Sequence, residues 1–422
     1  MKILIVTPFL PWPLDSGGNV AQYSTLKCLA ADHEFKLVAP IYGNQPDYSK
    51  VLEAEFPGVQ IRLVRCSERT ERNYGAVGLV RFGMRLFDRC SQWLGLQKSE
   101  APFDPIQLIP EPFVKALEEE IRSGVDLIQV EFAEFLSLAS WLPKNIASLF
   151  VHHQLHFIYT QRALAVHCDS DYGSFVTDFI RTKEIALLRR FDSIITFSES
   201  DREILQNEEP MPSIYCSPFP APADIGFVAE PAECFSGYFC FFGTEGHYPN
   251  RDGLNWLLEE MWPDVIRRLP GAKLKILGNW SDKWKVKASR FGGSVQFCGF
   301  VPDLGKAIYG GIQLVPLRIG SGIRTKILAA LAQGVPCVAT TVGAEGIEAG
   351  NNGGIAIADT VDLFVSTSVL LATDKELWRR HAQAGLASVK KLHDPESVRS
   401  TRNSIYQKIV KDRQRTESIL GN

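Results

Sequence analysis

The feature that most constrains the fold of this chain is the way its apolar residues are ordered. Apolar runs of strand length alternate with segments of helical periodicity, and the alternation occurs in two series separated by one aperiodic stretch. In the first series KILIVTPF, FKLVAP, DLIQVEF, SLFVHH and SIITFSES read as strands. Near-continuous apolar character of this kind belongs to parallel strands covered on both faces. Between them, NVAQYSTLKCLAAD sets Val20, Tyr23, Leu26 and Leu29 at helical spacing, and TKEIALLRRF repeats the pattern. Ser200 before DREIL, with Glu203 three residues on, has the form of a capping box. The stretch SPFPAPADIGFVAEPAECFSG has no periodicity and reads as an interdomain linker. Strands YFCFFGT, AKLKILG, SVQFCGF and IQLVPLR and helices DGLNWLLEEMWPDVIRRLP and DLGKAIYGG then resume the alternation.

Two such ladders predict an α/β chain of two doubly wound parallel-sheet, Rossmann-like domains, residues 1–220 and 221–395, facing a central cleft. A final helix, residues 396–422, is expected to cross back onto the first domain. Right-handed crossovers put every strand-to-helix loop on one edge of each sheet, so the loops that bind ligands line the cleft.

Composition narrows the partners. A net charge of −3 supplies no global field for nucleic acid, and no nucleic-acid partner is expected. Nine cysteines scattered without a CxxC pair read as reduced thiols and predict a cytoplasmic protein. MKILIVTPFLPWPLD reads as a buried strand, since prolines interrupt its apolar run and no cleavage site follows. No run of about 18 apolar residues suits a membrane span. Residues 69–98 carry six cations against two carboxylates, with Arg81, Arg85 and Arg89 every four residues and Val80, Met84, Phe87 and Trp93 between them. That pattern fits either a solvated basic face or a helix docked on an anionic bilayer, which would make the protein peripheral on the inner face of the membrane. The pair Asp169 and Asp171 in CDSDYG reads as loop surface, and no metal site is expected. No Walker loop, HExxH, GxSxG or GxGxxG after a first strand is present.

The stretch IQLVPLRIGSGIRTKILAALAQGVPCVATT carries the chemistry. After a strand, Gly320-Ser321-Gly322 makes a turn and Ile323–Ala332 reads as a helix with Ile327, Leu328 and Leu331 on its core face. Gly334 is its left-handed cap and Pro336 stops it. A helix N-terminus at the cleft edge is an anion site. Arg324 and Lys326 in its first turn oppose the helix dipole at about 0.3–1 kcal/mol each. A charge-assisted hydrogen bond to a bound anion returns about 1.5–3 kcal/mol, so a diphosphate ligand explains the cations.

PLRIGSGIRTKILAALAQGVPCVATTVGAEGI resembles the donor-binding segment of family 4 glycosyltransferases, with their G-[ST]-x-[RN]-x-K-[IVL]-L-E-A-x-A-x-G-x-P pattern. FFGTEGHYPNRDGLNWLLEEMWPDVIRRLPGAKLKILG is similar to the segment that opens their C-terminal domain. DSGGNVAQYSTLKCLA, FVHHQLHFIYTQR and FDSIITFSESDREIL resemble N-terminal segments. The resemblance implies a GT-B fold, a nucleoside-diphosphate-sugar donor as substrate, retention of anomeric configuration, and no metal or other cofactor. It implies that Arg324 and Lys326 bind the diphosphate and that His153 hydrogen-bonds the donor sugar or accepts a proton. Gly17, Gly18, Gly243, Gly320, Ser321 and Gly322 complete the implied donor site. The glutamate that holds the ribose in the family falls on Ala329 here, and its partner eight residues earlier falls on Ser321. Glu345 is the nearest carboxylate to substitute, and Glu131, at a strand end, is placed to orient an acceptor hydroxyl. The expected function is a metal-independent, retaining hexosyltransferase-type glycosyltransferase. It would act on a glycan or lipid-linked acceptor in surface polysaccharide synthesis. A sugar-nucleotide epimerase and a non-catalytic binding protein, the latter motivated by Ala329 and Ser321, remain as alternatives.

Overall fold

The computed structural model describes residues 1–66, 106, 108–167, 171–222, 225–347 and 353–420. The basic stretch 69–98 and Asp169 lie outside them. Seven strands form the first sheet: β1 (Lys2–Val6), β2 (Glu34–Tyr42), β3 (Val59–Cys66), β4 (Leu127–Glu131), β5 (Ala147–His152), β6 (Ser193–Thr196) and β7 (Ser213–Cys216). They lie in the order β3-β2-β1-β4-β5-β6-β7, all parallel. Six strands form the second: β8 (Tyr238–Phe242), β9 (Lys273–Leu277), β10 (Val295–Gly299), β11 (Ile312–Val315), β12 (Cys337–Ala339) and β13 (Ile355–Ile357). Their order is β10-β9-β8-β11-β12-β13, again parallel.

The strands are apolar on both faces because both faces are covered. Along β1, Ile3 and Ile5 join one core while Leu4 and Val6 join the other, the period of two that a pleated strand imposes. In each sheet the order reverses at its first strand, between β1 and β4 and between β8 and β11. Such reversals open a crevice at the carboxyl ends of the strands, where ligands of doubly wound folds bind.

Several boundaries differ from the sequence expectation. Strands β3, β7 and β13 and the helices Glu111–Arg122, Val361–Thr373 and Lys375–Leu392 are additions to the elements read from the sequence. The helix of the DREIL segment begins at Glu199, capped by Ser198 rather than Ser200; the Ser198 hydroxyl accepts the Asp201 amide at 3.1 Å. Gly17 and Gly18, which precede the helical pattern read from Asn19 onward, form the first turn of helix Gly17–Leu29, because the Ser16 side chain accepts the Asn19 amide and closes the turn around them. The segment from Tyr248 to Arg268 holds a π-turn at Leu257–Met261, where Trp262 N–H reaches back to Leu257 O; this absorbs Pro263, which has no N–H to give.

The helix Pro395–Leu420 packs on the first domain. Arg399 and Asn403 converge on Asp32, and Arg402, with no exposed surface, donates to the Ser217 hydroxyl at 3.0 Å and carbonyl at 3.2 Å.

Candidate functional site

The loops leaving β1 and β4 meet those leaving β8 and β11 around a cleft of about 580 Å³. Gly17, Gly18, His153, Gly243, Ser321, Arg324 and Lys326 line it. Gly320, Gly322 and Glu345 stand behind the lining, where they shape the loop.

That loop depends on glycine at two points. Gly322 lies at φ 78°, and a Cβ there would come within 2.3 Å of the His153 carbonyl oxygen of the opposite domain. A Cβ on Gly320 would meet the Arg324 guanidinium at 2.2 Å, so the missing side chain is what lets Arg324 fold back over the loop. Arg324 then donates to Ser321 O at 2.9 Å and Val342 O at 3.4 Å. The helix after the glycine turn is Thr325–Ala332, two residues shorter at its start than the sequence suggests, and Arg324 sits at its N-cap position without a side-chain cap bond. Burial pulls the Arg324 pKa down to about 10, partly countered by Glu345 and Asp201.

Lys326 donates to Asn250 Oδ1 at 2.6 Å. Burial, and then repulsion from Arg324, brings its pKa down to about 7. Gly243 serves this contact, since a Cβ there would lie 2.5 Å from the Asn250 amide nitrogen. His247, at the cleft rim, is pushed to about 4 by desolvation and by Lys326 and Arg324. Burial drives each of these three basic groups toward its neutral form, and neighbouring cations add to this at Lys326 and His247. A bound anion relieves all three together.

Helix geometry adds to this. Gly17 approaches Thr325 so closely that a Cβ would be 3.1 Å from its hydroxyl. Gly17 and Thr325 are each the first residue of their helix, so two helix N-termini from different domains abut at the cleft. Free amides and positive dipole ends at this point favour an anion.

On the N-terminal wall, His153 Nε2 lies 2.9 Å from Glu131 Oε2. The ring stacks on Phe132 with centroids 3.7 Å apart at 16°, and Phe197 meets it edge-on at 5.0 Å. His152 faces away from this arrangement and pairs with the buried Glu184 at 2.9 Å. Glu184 also accepts the His156 and Phe157 amides that begin the next helix.

Glu345 is engaged elsewhere than the cleft. Arg162 grips its carboxylate with both terminal nitrogens, at 2.6 and 2.8 Å, and donates a further bond to Gly320 O at 2.6 Å. Ser321 accepts the Leu155 amide at 3.0 Å. The serine and this carboxylate therefore tie the two domains together. Ala329 does line the cleft, and among the described lining residues the carboxylates are Asp15 and Glu134, both on the N-terminal side. Among the described residues no group of three or more His, Cys, Asp and Glu is arranged to hold a metal ion, and no helix is long and apolar enough to cross a membrane.

Sequence reasoning did not find Arg162, His247, Asn250, Phe132 or Thr325. Asn250 and His247 lie within the FFGTEGHYPN segment, but nothing in their spacing announces that Asn250 meets Lys326, 76 positions away. Thr325 lies between the two cations, where only the facing helix reveals its place.

Residues 237–374 match the sequence model of a family described as Glycosyl transferases group 1. No curated protein matches the chain. Solved structures share its whole fold. Sucrose-phosphate synthase from Thermosynechococcus elongatus superposes with a TM-score of 0.67 at 15% identity, covering 97% of this chain and 99% of that one. HepE of Anabaena, solved with UDP and glucose, gives 0.63 at 14% over 97% and 100%. A TarM variant of S. aureus, solved with Fondaparinux, alpha-GlcNAc-glycerol and UDP, gives 0.63 at 11% over 96% and 99%. At such identities the likeness speaks for the fold, which is GT-B, while the C-terminal match speaks for the domain: residues 237–374 form a glycosyl transferases group 1 domain, and the chain that carries it has the build of a glycosyltransferase.

Proposed function

We propose that the chain is a retaining, metal-independent glycosyltransferase that moves a sugar from a nucleoside-diphosphate sugar to a hydroxyl of a glycan or lipid-linked acceptor. The observation that carries this reading is the cluster of Arg324 and Lys326 beside two abutting helix N-termini, at the switch points of both sheets. In the transfer, the bond from the anomeric carbon to the diphosphate oxygen breaks and its electron pair stays on that oxygen. The acceptor oxygen bonds to the same face of the sugar, and its proton passes to the departing diphosphate. Negative charge grows on the leaving group, so Arg324, Lys326 and the helix amides bind the transition state more tightly than the donor. The acceptor enters along the N-terminal wall, past His153.

Thermal-shift titration with uridine, guanosine and adenosine diphosphates tests the site. UDP comes first, because HepE and TarM were solved with it. Arg324→Ala is expected to weaken the diphosphate that binds by about ten- to a hundredfold, the equivalent of ~1.5–3 kcal/mol. Indifference to all three nucleotides, or equal affinity in the variant, sinks the proposal. A nucleotide sugar supplied without acceptor distinguishes epimerisation from transfer. Ala329, in a C-terminal wall without a described carboxylate, favours one other reading, a binding protein that holds the nucleotide and turns nothing over. Acceptor trials with the tightest-binding donor separate the two. A role at the membrane surface and in surface polysaccharide synthesis belongs to the same proposal, and co-sedimentation with anionic against neutral liposomes tests the membrane part.

A further inference from the structure

From the cleft a line of side chains runs through the first sheet to the far end of the sequence. Tyr406 O–H donates to Gln129 Oε1 at 2.6 Å, Gln129 Nε2 donates to Glu131 Oε1 at 2.5 Å, and Glu131 Oε2 meets His153 Nε2 at 2.9 Å. All four side chains are buried or nearly so. We propose that Glu131 is the positioning residue of His153, and that Tyr406, on the helix that returns from the C-terminal domain, holds Glu131 in place through Gln129.

The chemistry of the groups fixes the direction of the chain. A carboxylate only accepts, so the Gln129 amide nitrogen faces Glu131 and the amide oxygen is left for the phenol, which must donate. Burial pushes the Tyr406 pKa up and keeps that proton on the phenol. With both of its oxygens engaged, Glu131 cannot rotate without breaking a buried bond. It therefore holds the hydrogen on His153 Nε2 and leaves Nδ1 with the lone pair. The Phe132 stack and the Phe197 edge prevent the ring from turning over. Phe132 is itself held at φ 65°, the one positive value among the described residues other than glycine, and a Cβ on Gly18 would lie 2.8 Å from its ring. A histidine bound this way presents one defined acceptor. That His153 uses this toward a substrate rests on the function proposed above; its tautomer does not.

The test uses the full chain labelled with 15N-histidine, with the His153 ring signals assigned by loss in His153→Gln. The wild type is expected to show the Nε2–H tautomer. In Glu131→Gln the His153 ring is expected to lose that single form and show a mixture of Nε2–H and Nδ1–H tautomers. Tyr406→Phe is expected to produce a smaller shift in the same direction. The other titratable groups of the cleft are Asp15, Glu134, His156, His247, Arg324 and Lys326, and both variants leave them in place. A purely structural role for Tyr406 would lower the melting temperature and leave the His153 tautomer as in the wild type, which overturns the relay. An Nδ1–H tautomer in the wild type, or an unchanged tautomer in Glu131→Gln, overturns the positioning role. Should Glu131→Gln fail to fold, Tyr406→Phe decides alone, since Gln129 and Glu131 link it to the ring. Once a donor is known, kcat is expected to fall in both variants with KM little changed. A chain that shows no transfer at all refutes the function and leaves the ring tautomer to be judged separately.

Discussion

Lys326 keeps company with a neutral amide and a second cation, and its pKa of about 7 reflects that setting. A bound diphosphate raises the pKa by opposing charge, so the complex holds more protons than the free protein. Donor affinity is therefore full below pH 7 and declines as pH rises through the free value toward the bound one, by up to about tenfold per pH unit. Calorimetric titration of a nucleoside-diphosphate sugar, whose phosphates do not titrate in this range, in two buffers of different ionisation heat measures the proton taken up. An affinity that is flat from pH 6 to 9 contradicts the assignment. Lys326→Arg is expected to keep binding and lose the pH dependence, because guanidinium stays charged throughout. Arg324 and Lys326 were legible in the sequence because two cations at a helix start are locally unfavourable and call for an anion. Asn250 and His247 were not, since their meaning comes from a neighbour in space.

At the scale of the element, the site is the meeting of two helix starts. Ser16 caps one of them, and its hydroxyl satisfies the Asn19 amide at 3.1 Å, fixing Gly17 where it abuts Thr325. Ser16→Ala is expected to cost about 0.5–2 kcal/mol of stability, read as a lower midpoint in urea at unchanged slope. Diphosphate affinity is expected to drop alongside it. A stability loss with affinity intact would separate the first helix from the anion site. Helix starts are only partly readable from sequence. Ser200 with Glu203 and Ser198 with Asp201 both satisfy the capping pattern, and the choice went to Ser198, whose extended backbone at φ −133°, ψ 152° follows from the buried strand before it.

Across the whole molecule, several contacts join the domains. Arg162 bonds Glu345 and Gly320, Ser321 accepts the Leu155 amide, and the helix Pro395–Leu420 returns to the first domain. The returning segment covers two histidines. His33 packs on Tyr406 and bonds Asn403 at 2.7 Å, and His393 bonds Phe219 O at 2.9 Å. Burial holds both pKa values below the ordinary 6.5. Above the unfolded value both rings are neutral whether the chain is folded or not, and their contribution is complete. As pH falls through that value toward the lower folded ones, the unfolded chain takes up protons first and stability declines. The urea midpoint is expected to be lower at pH 5.5 than at pH 7.5, with amide exchange rising first in Pro395–Leu420. A midpoint unchanged between those values, or exchange that rises elsewhere first, counts against this account.

The order of apolar runs was enough to determine two parallel sheets with loops at one edge, because burial on both faces leaves a local, continuous signature. The glycine turn and the cations beside it were likewise local. What the tertiary structure alone decided is who meets whom across domains: Glu345 goes to Arg162 instead of the cleft, Ser321 to Leu155, and Tyr406 reaches Gln129 over 277 positions. Such pairs leave no periodic trace, because a hydrogen bond is set by distance in space, and distance along the chain says nothing of it until the sheets and their crossovers are in place.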